Sequence, residues 1–152
     1  MIGFLVQGTP SPQGSHTAVM LGGRAGLIPA GNANSRRRHK DWRAAVADAA
    51  HEAIGGNPPL DGALILKVVF RCAMPASRSK FLQHLGCTPK STAPDLDKLL
   101  RALGDSLTEG GLVRDDARFA TIHASKVEVV GWTGAEVRIG HLDHYGDERV
   151  LA

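Results

Sequence analysis

The sequence lacks the signatures of several common protein classes. Only two of its 152 residues are cysteines. Cys72 and Cys87 belong to no CxxC motif, so neither a zinc site nor a disulfide framework is indicated. No apolar run approaches the roughly 20 residues that cross a bilayer, and the first ten residues do not have the pattern of a signal peptide. We therefore expect a protein without a membrane partner that stays in the cytoplasm.

Internal repeats, low-complexity tracts and glycine-rich phosphate loops are also missing. Their absence argues against a repeat protein and weakens the case for a nucleotide phosphohydrolase. Hydrophobic residues make up 43% of the chain and charged residues 22%, which is typical of a soluble globular protein. We predict one domain over residues 1–142, followed by a flexible C-terminal tail over residues 143–152.

Charge is distributed unevenly along a chain that is basic overall. The formal net charge is +3 and the isoelectric point is about 9.1, which favours a polyanionic partner. Basic residues cluster in residues 35–43 and 76–91, whereas six carboxylates lie between Pro94 and Asp116. Two basic segments followed by one acidic segment form a pattern that the overall charge does not explain.

Hydrophobic patterning predicts a mixed α+β fold, with a small β-sheet flanked by two main helices. Residues 62–74 are aliphatic on both faces apart from Lys67 and Arg71, as expected of a largely buried strand. Residues 75–94 contain three prolines and are predicted to form a long basic loop. The other predicted strands are residues 2–8, a hairpin of residues 17–23 and 25–31, and a pair at residues 119–132 and 135–142.

Two segments have the apolar spacing of amphipathic helices. In the first, Trp42, Val46 and Ala50 recur at helical spacing, so we predict a helix capped by Asp41 that ends at residues 55–59, with Trp42 in the core. The second follows Pro94 and ends near residues 109–111. Its leucines form one apolar stripe at positions i, i+3, i+4, i+7 and i+11: Leu96, Leu99, Leu100, Leu103 and Leu107.

The second helix also carries charge at a regular spacing. Asp97, Arg101 and Asp105 are four residues apart, so they share one helix face. Surface ion pairs at this spacing are common, and Asp95 can act simply as the helix cap. A structural role therefore remains open for every one of these residues.

Asp115 and Asp116 add a second interpretation, because they follow a Gly-Gly turn from which the chain can fold back toward the helix start. Asp95, Asp97 and Asp116 would then converge, and converging carboxylates require a cation between them. Oxygen ligands suit Mg²⁺ or Mn²⁺. Asp105 is about 12 Å beyond Asp97 at 1.5 Å per residue, so we expect it to support the site rather than bind the same metal.

A carboxylate-bound metal beside basic segments suggests phosphoryl transfer on a nucleic acid. Arg101, one turn beyond Asp97, would offer a cation to the charge that develops on the phosphate. It would equally suit an ion pair with Asp97 or Asp105, and the residues alone do not decide between these roles.

The run "PDLDKLLRALGDSL" (residues 94–107), followed by "VRDD" (residues 113–116) and Lys126, resembles the signature of RusA-type Holliday junction resolvases. The strong similarity covers residues 94–126. The resemblance implies a RusA-like homodimer, of a kind often encoded by phages, that depends on Mg²⁺, for which Mn²⁺ can substitute. It also implies an endonuclease of DNA recombination and repair that cuts four-way junction DNA by symmetric paired nicks.

By position, the family's essential carboxylates fall on Asp95, Asp97 and Asp116, and its catalytic lysine falls on Arg101. Arginine keeps the charge but is a poor proton donor, so a general-acid role is in doubt. Lys98 stands where the family often has asparagine. We predict that nine cations contact DNA: Arg36, Arg37, Arg38, Lys40, Arg78, Lys80, Lys90, Lys98 and Lys126. For those in residues 36–40 and 78–90, a solvated surface role is equally open.

Two other functions compete with junction cleavage. The departures at Lys98 and Arg101 are compatible with a DNA-binding protein that has lost catalysis but still binds junctions with a steep salt dependence. A metal-dependent nucleotide phosphohydrolase is the third hypothesis, and no glycine-rich phosphate loop supports it.

Overall fold

A computed structural model of the chain describes residues 1–14, 16–29 and 31–142. The described elements are both helical and extended, so the fold is mixed α+β, as the patterning predicts. None of the described helices is long and apolar enough to span a membrane. In chain order the elements are β1 (Ile2–Gln7), β2 (His16–Leu21), β3 (Arg24–Pro29), α1 (Ala33–Ile54), β4 (Leu64–Ala73), α2 (Lys80–Leu85), β5 (Cys87–Pro89), α3 (Leu96–Glu109), a 3-10 helix (Asp116–Arg118), β6 (Phe119–Val129) and β7 (Gly134–His141).

Five strands form one mixed sheet in the order β1-β7-β4-β6-β5. The central strands β4 and β6 are parallel, and every other pair in this sheet is antiparallel. A parallel pair requires a long crossover, and α3 lies within the connection from β4 to β6. Strands β2 and β3 form a separate antiparallel hairpin, as predicted.

The core lies between the sheet and the two long helices. Alternate residues of β4, namely Leu64, Leu66, Val68 and Phe70, are buried in the same cluster as the apolar residues of α1 and α3. Trp42 is 1% exposed and belongs to this cluster, which confirms its predicted place in the core. Because Lys67 on the opposite face of β4 is exposed, the helices cover one face of the sheet.

Helix α1 begins earlier than predicted. It starts at Ala33, and the side-chain oxygen of Asn32 accepts a hydrogen bond from the backbone N–H of Ser35 at 2.9 Å, whereas Asp41 lies inside the helix. The prediction of Asp41 as the cap was wrong because apolar periodicity marks only the buried part of a helix, and residues 33–40 are almost entirely polar. The basic residues 36–40 therefore lie on a helix and not on a loop that precedes one.

Residues 75–94 were predicted to form a loop, but they contain a short helix and a strand. Helix α2 is capped by Ser79, whose hydroxyl accepts from the N–H of Leu82 at 3.3 Å. Gly86 ends it in the left-handed region, at φ 80°, where glycine is favoured. Strand β5 then joins the sheet edge beside β6. Helix α2 spans less than two full turns, which is too short for apolar periodicity to reveal.

A buried carboxylate ties this segment to the sheet. Glu128 on β6 is 1% exposed and accepts two hydrogen bonds from Arg78, each 2.7 Å long. Lys90 donates a third at 3.3 Å. The hydrogen bonds from Arg78, more than any other contact, lower the pKa of Glu128 from 4.5 to about 2. Both cations of residues 75–94 that face Glu128 therefore hold the segment in place.

We expect acid to reveal this ion-pair network. Because the pKa of Glu128 is depressed in the folded protein, its contribution to stability is complete above about pH 4.5 and is lost as the pH falls through about 2. The melting temperature of the wild type should therefore fall more steeply between these values than that of Glu128→Gln. Thermal unfolding followed by circular dichroism across this range measures both slopes, and equal slopes would contradict the assignment.

Candidate active site

The acidic segment begins where the chain enters α3. Asp95 occupies the N-cap position, but its side chain makes no capping hydrogen bond. Its Oδ2 lies 3.5 Å from the Nζ of Lys98. Asp97 is exposed in the first turn. Both carboxylates therefore stand at the N-terminal end of α3, the positive end of the helix dipole.

Lys126 holds the backbone that precedes Asp95. Its Nζ donates to the carbonyl of Thr92 at 2.6 Å and to the carbonyl of Pro94 at 2.7 Å. The backbone N–H of Lys90 donates to the carbonyl of Lys126 at 3.0 Å. The ammonium predicted to contact DNA is thus engaged by the segment that presents the first two aspartates, and its contact with DNA stays a prediction.

Asp116 lies against the middle of α3. It opens the 3-10 helix, whose cap is Asp115, and its carboxylate faces Gly104. A Cβ atom at residue 104 would be 3.3 Å from the Cβ of Asp116 and 3.5 Å from its Oδ2. Burial, first, and then Asp105 and Asp115 raise the pKa of Asp116 above its ordinary value. The absence of a side chain at Gly104 therefore leaves room for Asp116 against the helix.

The approach of Asp116 differs from the expectation that it folds back to the helix start. Gly104 is seven residues beyond Asp97, which is about 10 Å along a helix that rises 1.5 Å per residue. Among residues 1–14, 16–29 and 31–142, no three His, Cys, Asp or Glu side chains are grouped so that they could hold a metal ion. Asp105, expected to support the site, is a neighbour of Asp116. The assignment of one metal to Asp95, Asp97 and Asp116 stays a prediction.

Arg101 lies on the same face of α3, between Asp97 and Gly104. Its side chain is exposed and forms no ion pair within the described part of the chain. The alternative role, an ion pair with Asp97 or Asp105, is therefore not adopted. The outer face of α3 thus carries Asp97, then an unengaged guanidinium, then Asp105 with Asp116 beside it.

The other predicted DNA contacts fall into three groups. Arg78 and Lys90 bind Glu128, and Lys98 is paired with Asp95, so their charges are largely balanced within the protein. Arg36 donates to the carbonyl of Gly31 at 2.7 Å. The remaining cations are exposed on α1 or α2: Arg37, Arg38, Lys40 and Lys80. DNA contact by any of these residues stays a prediction.

Sequence reasoning missed two residues that shape this region, Gly104 and Glu128. Each carries a signal in the sequence. Gly104 interrupts a leucine-striped helix, where glycine costs about 1 kcal/mol relative to alanine, and such an exception indicates close packing. Glu128 is a single carboxylate within the apolar run "VEVV" (residues 127–130), and a buried carboxylate requires a cationic partner.

We expect Gly104→Ala to displace Asp116 with little loss of stability. The added methyl group would contact Asp116 at about 3.3 Å, while the better helix propensity of alanine offsets part of the crowding, about 1 kcal/mol. The free energy of unfolding should change by less than about 1 kcal/mol, and DNA cleavage should fall at least tenfold. Chemical denaturation and cleavage assays measure the two effects. Unchanged cleavage would show that the position of Asp116 is unimportant.

We expect Lys126→Met to disturb the start of α3. The substitution keeps the length of the apolar stem but leaves the carbonyls of Thr92 and Pro94 without their donor, so the orientation of Asp95 and Asp97 is lost. Cleavage should fall more than DNA affinity does, since Lys126 acts on the backbone and not on phosphate. Lys67→Met, a matched substitution on the exposed face of β4 at a residue that is not predicted to contact DNA, provides the control. Equal losses of affinity and cleavage would instead indicate that Lys126 binds DNA directly.

Comparison with known proteins agrees with this architecture. The profile of the family described as "Endodeoxyribonuclease RusA" matches residues 8–140. This range contains α1, α3 and the central strands, and it includes the candidate active-site residues Asp95, Asp97, Arg101 and Asp116. None of the curated proteins compared with the chain matches it significantly. Because the profile covers most of the chain and includes its whole acidic segment, the chain belongs to the RusA endodeoxyribonuclease family.

Proposed function

We propose that the protein is a structure-specific endodeoxyribonuclease that resolves four-way DNA junctions by metal-dependent hydrolysis of phosphodiester bonds. It would act in DNA recombination and repair and make symmetric paired nicks. The observation that carries this proposal is the outer face of α3, where Asp97, Arg101 and Asp116 lie along one exposed surface. Family membership indicates the reaction class, endonucleolytic cleavage of DNA, and this surface carries the charged side chains that such a reaction requires.

The carboxylates of this surface suit a divalent cation in charge and in ligand type. Burial and the neighbouring Asp105 and Asp115 raise the pKa of Asp116, and a cation would offset this repulsion. Mg²⁺ is commonly bound by one or two protein carboxylates together with substrate phosphates and water, so one chain need not form a cage of three. Asp95, Asp97 and Asp116 are the carboxylates that would hold Mg²⁺ or Mn²⁺, one or two of them directly, and the ion would supply polarisation of the phosphate and a more acidic bound water.

The chain's own residues would bind and orient the DNA backbone. The guanidinium of Arg101 is always charged and can form two parallel hydrogen bonds to a phosphate, so it suits stabilisation of the charge that develops during cleavage. It does not suit proton donation. Lys126 would hold Asp95 and Asp97 in position through its hydrogen bonds to the carbonyls before them. Gly104 would determine how closely Asp116 packs against α3.

Paired nicks require two copies of this surface on one junction. The described chain contains a single acidic face on α3, so we propose a homodimer that places two such faces on strands of like polarity. The exposed cations of α1, Arg37, Arg38 and Lys40, would bind phosphates of the junction arms.

One observation favours a second candidate, a junction-binding protein with impaired catalysis. The ammonium of Lys98 lies 3.5 Å from the Oδ2 of Asp95, and it partly neutralises a carboxylate that the metal would need. Arg101 also replaces the expected lysine and is a poor proton donor. Two positions beside the acidic face therefore keep a positive charge for DNA binding but depart from the family in ways that would weaken the chemistry. The same experiment separates the two candidates.

We expect the purified protein to nick a labelled mobile four-way junction, but not a linear duplex of matched sequence, with Mg²⁺ or Mn²⁺ and not with chelator. Asp97→Asn should lower the cleavage rate at least a hundredfold, because removing one preorganised charge from a catalytic site typically costs about 10²–10³. Its junction affinity should stay equal or increase, since it removes negative charge that faces DNA. Gel assays of cleavage and of binding measure both quantities.

Glu52→Gln is the matched control, because it removes one exposed carboxylate from α1 at a distance from the acidic face in sequence. It should leave cleavage unchanged. Binding of the wild type without nicks under any divalent metal would favour the impaired junction-binding protein. Unfolding of Asp97→Asn would instead indicate that this carboxylate has a structural role.

A further inference from the structure

A cavity of about 580 Å³ lies beside the start of the acidic helix. Its walls come from residues 9–14, from the first three turns of α1 and from Pro94. Pockets that bind small organic groups commonly measure about 300–1,000 Å³, so this one is large enough for more than water. No role for it follows from the acidic face of α3 itself.

The cavity is attached to the candidate active site by backbone contacts. Pro94, one of its walls, directly precedes Asp95. On the other side the backbone N–H of Gln13 donates to the carbonyl of Lys98 at 3.1 Å, which joins the segment of residues 9–14 to the first turn of α3. A group bound in the cavity would therefore have a fixed position relative to Asp95 and Asp97.

Two polar atoms of the lining residues have no partner. The Oε1 of Gln13 and the Nδ1 of His39 are shielded from solvent and form no hydrogen bond among the described residues, so a bound group would reach either atom only after its side chain turns toward the cavity. Buried polar atoms are almost always paired, so each of these atoms requires an explanation. Burial, and then the nearby Arg43, lower the pKa of His39, against smaller opposing effects of a hydrogen bond to the Pro12 backbone and of Asp105. The shift favours the neutral imidazole, which suits hydrogen bonding to a neutral group.

Apolar and cationic groups complete the lining. Pro10, Pro12 and Pro94 offer apolar surface. Of the three arginines, Arg43 is paired with Glu109 at 3.1 Å and Arg36 donates to a backbone carbonyl. Arg38 is exposed and forms no ion pair within the described residues. One available guanidinium, apolar walls and unpaired hydrogen-bonding atoms match the three parts of a nucleotide: its phosphate, its base faces and its base edges.

We propose that this cavity is a subsite for one unpaired nucleotide of the DNA substrate, with the base between the prolines, its edge on Gln13 and His39, and its phosphate on Arg38. The proposal rests on the proposed function, because it places that nucleotide beside the phosphate to be cut. Extracting a base costs least where pairing is already interrupted, so the branch point of a junction supplies such a nucleotide and a linear duplex does not. The subsite would contribute to the preference for branched DNA and for certain bases.

The first test measures base capture without cleavage. Junctions carry 2-aminopurine, a fluorescent base, at one position at a time on either side of the branch point, and are titrated with Asp97→Asn. At one position the fluorescence should change several-fold on saturation as the base leaves the stack. Gln13→Leu introduced into Asp97→Asn should abolish this change, whereas Gln7→Leu, the same substitution on exposed β1, should preserve it. Binding without a change at any position would overturn the proposal.

The second test uses cleavage and separates base contact from a structural role. Gln13→Leu should lower kcat/KM on an intact junction about tenfold, the size expected for loss of one or two hydrogen bonds. On a junction with an abasic nucleotide at the responsive position, wild type and variant should cut equally slowly. An equal loss on both substrates would assign Gln13 a structural role and overturn the subsite.

The outcomes keep the subsite and the proposed function apart. A fluorescence change with a wild type that never cuts would support the subsite and overturn the nuclease. Cleavage without a fluorescence change would support the nuclease and overturn the subsite. Deoxynucleoside monophosphates and inorganic phosphate are titrated separately in thermal-shift assays, and stabilisation by either at micromolar concentration, without any response to the abasic substitution, would assign the cavity to a free ligand and contradict the proposal.

Discussion

Burial of the leucine stripe of α3 is the constraint on which the candidate site depends. Leu99, Leu103 and Leu107 are fully buried in the same core as the central strand β4 and the apolar face of α1. Since these leucines fix the rotation of the helix, Asp97 and Arg101 must lie on its outer side. The apolar core therefore determines which charges the helix presents, although no charged residue takes part in it.

Strand β6 couples the core to the site. On one strand, Lys126 holds the carbonyls before Asp95, and Glu128 binds Arg78 and Lys90 of the segment between β4 and α3. Buried or half-buried charges of this kind persist only when they are paired, so the network is a structural requirement. The basic character of residues 75–94 thus has two causes. Part of it balances a buried carboxylate, and part of it, such as Lys80, remains exposed.

Much of this architecture was predictable because it rests on apolar patterning. The leucine-striped helix was confirmed because its leucines recur at the helical period, and β4 because a short aliphatic run is typical of a buried strand. The hairpin was confirmed as well. The start of α1 and the structure within residues 75–94 were not predictable from that signal. Residues 33–40 are polar on all sides, and α2 is too short to show a period, so local capping by Asn32 and Ser79 decided both.

The sequence by itself determined which residues are the candidates for the chemistry. The spacing of Asp95 and Asp97 and the paired aspartates are local features that mark the family, whereas Arg101 departs from its lysine. Side-chain identity alone fixes the charge of all of them. Only the tertiary structure decided their distances. Asp116 lies over Gly104 because the chain after α3 packs across the helix, and the cavity beside Pro94 exists because residues 9–14 pack against α1. Contacts between residues so far apart in the chain depend on packing in three dimensions, and no local sequence pattern encodes them.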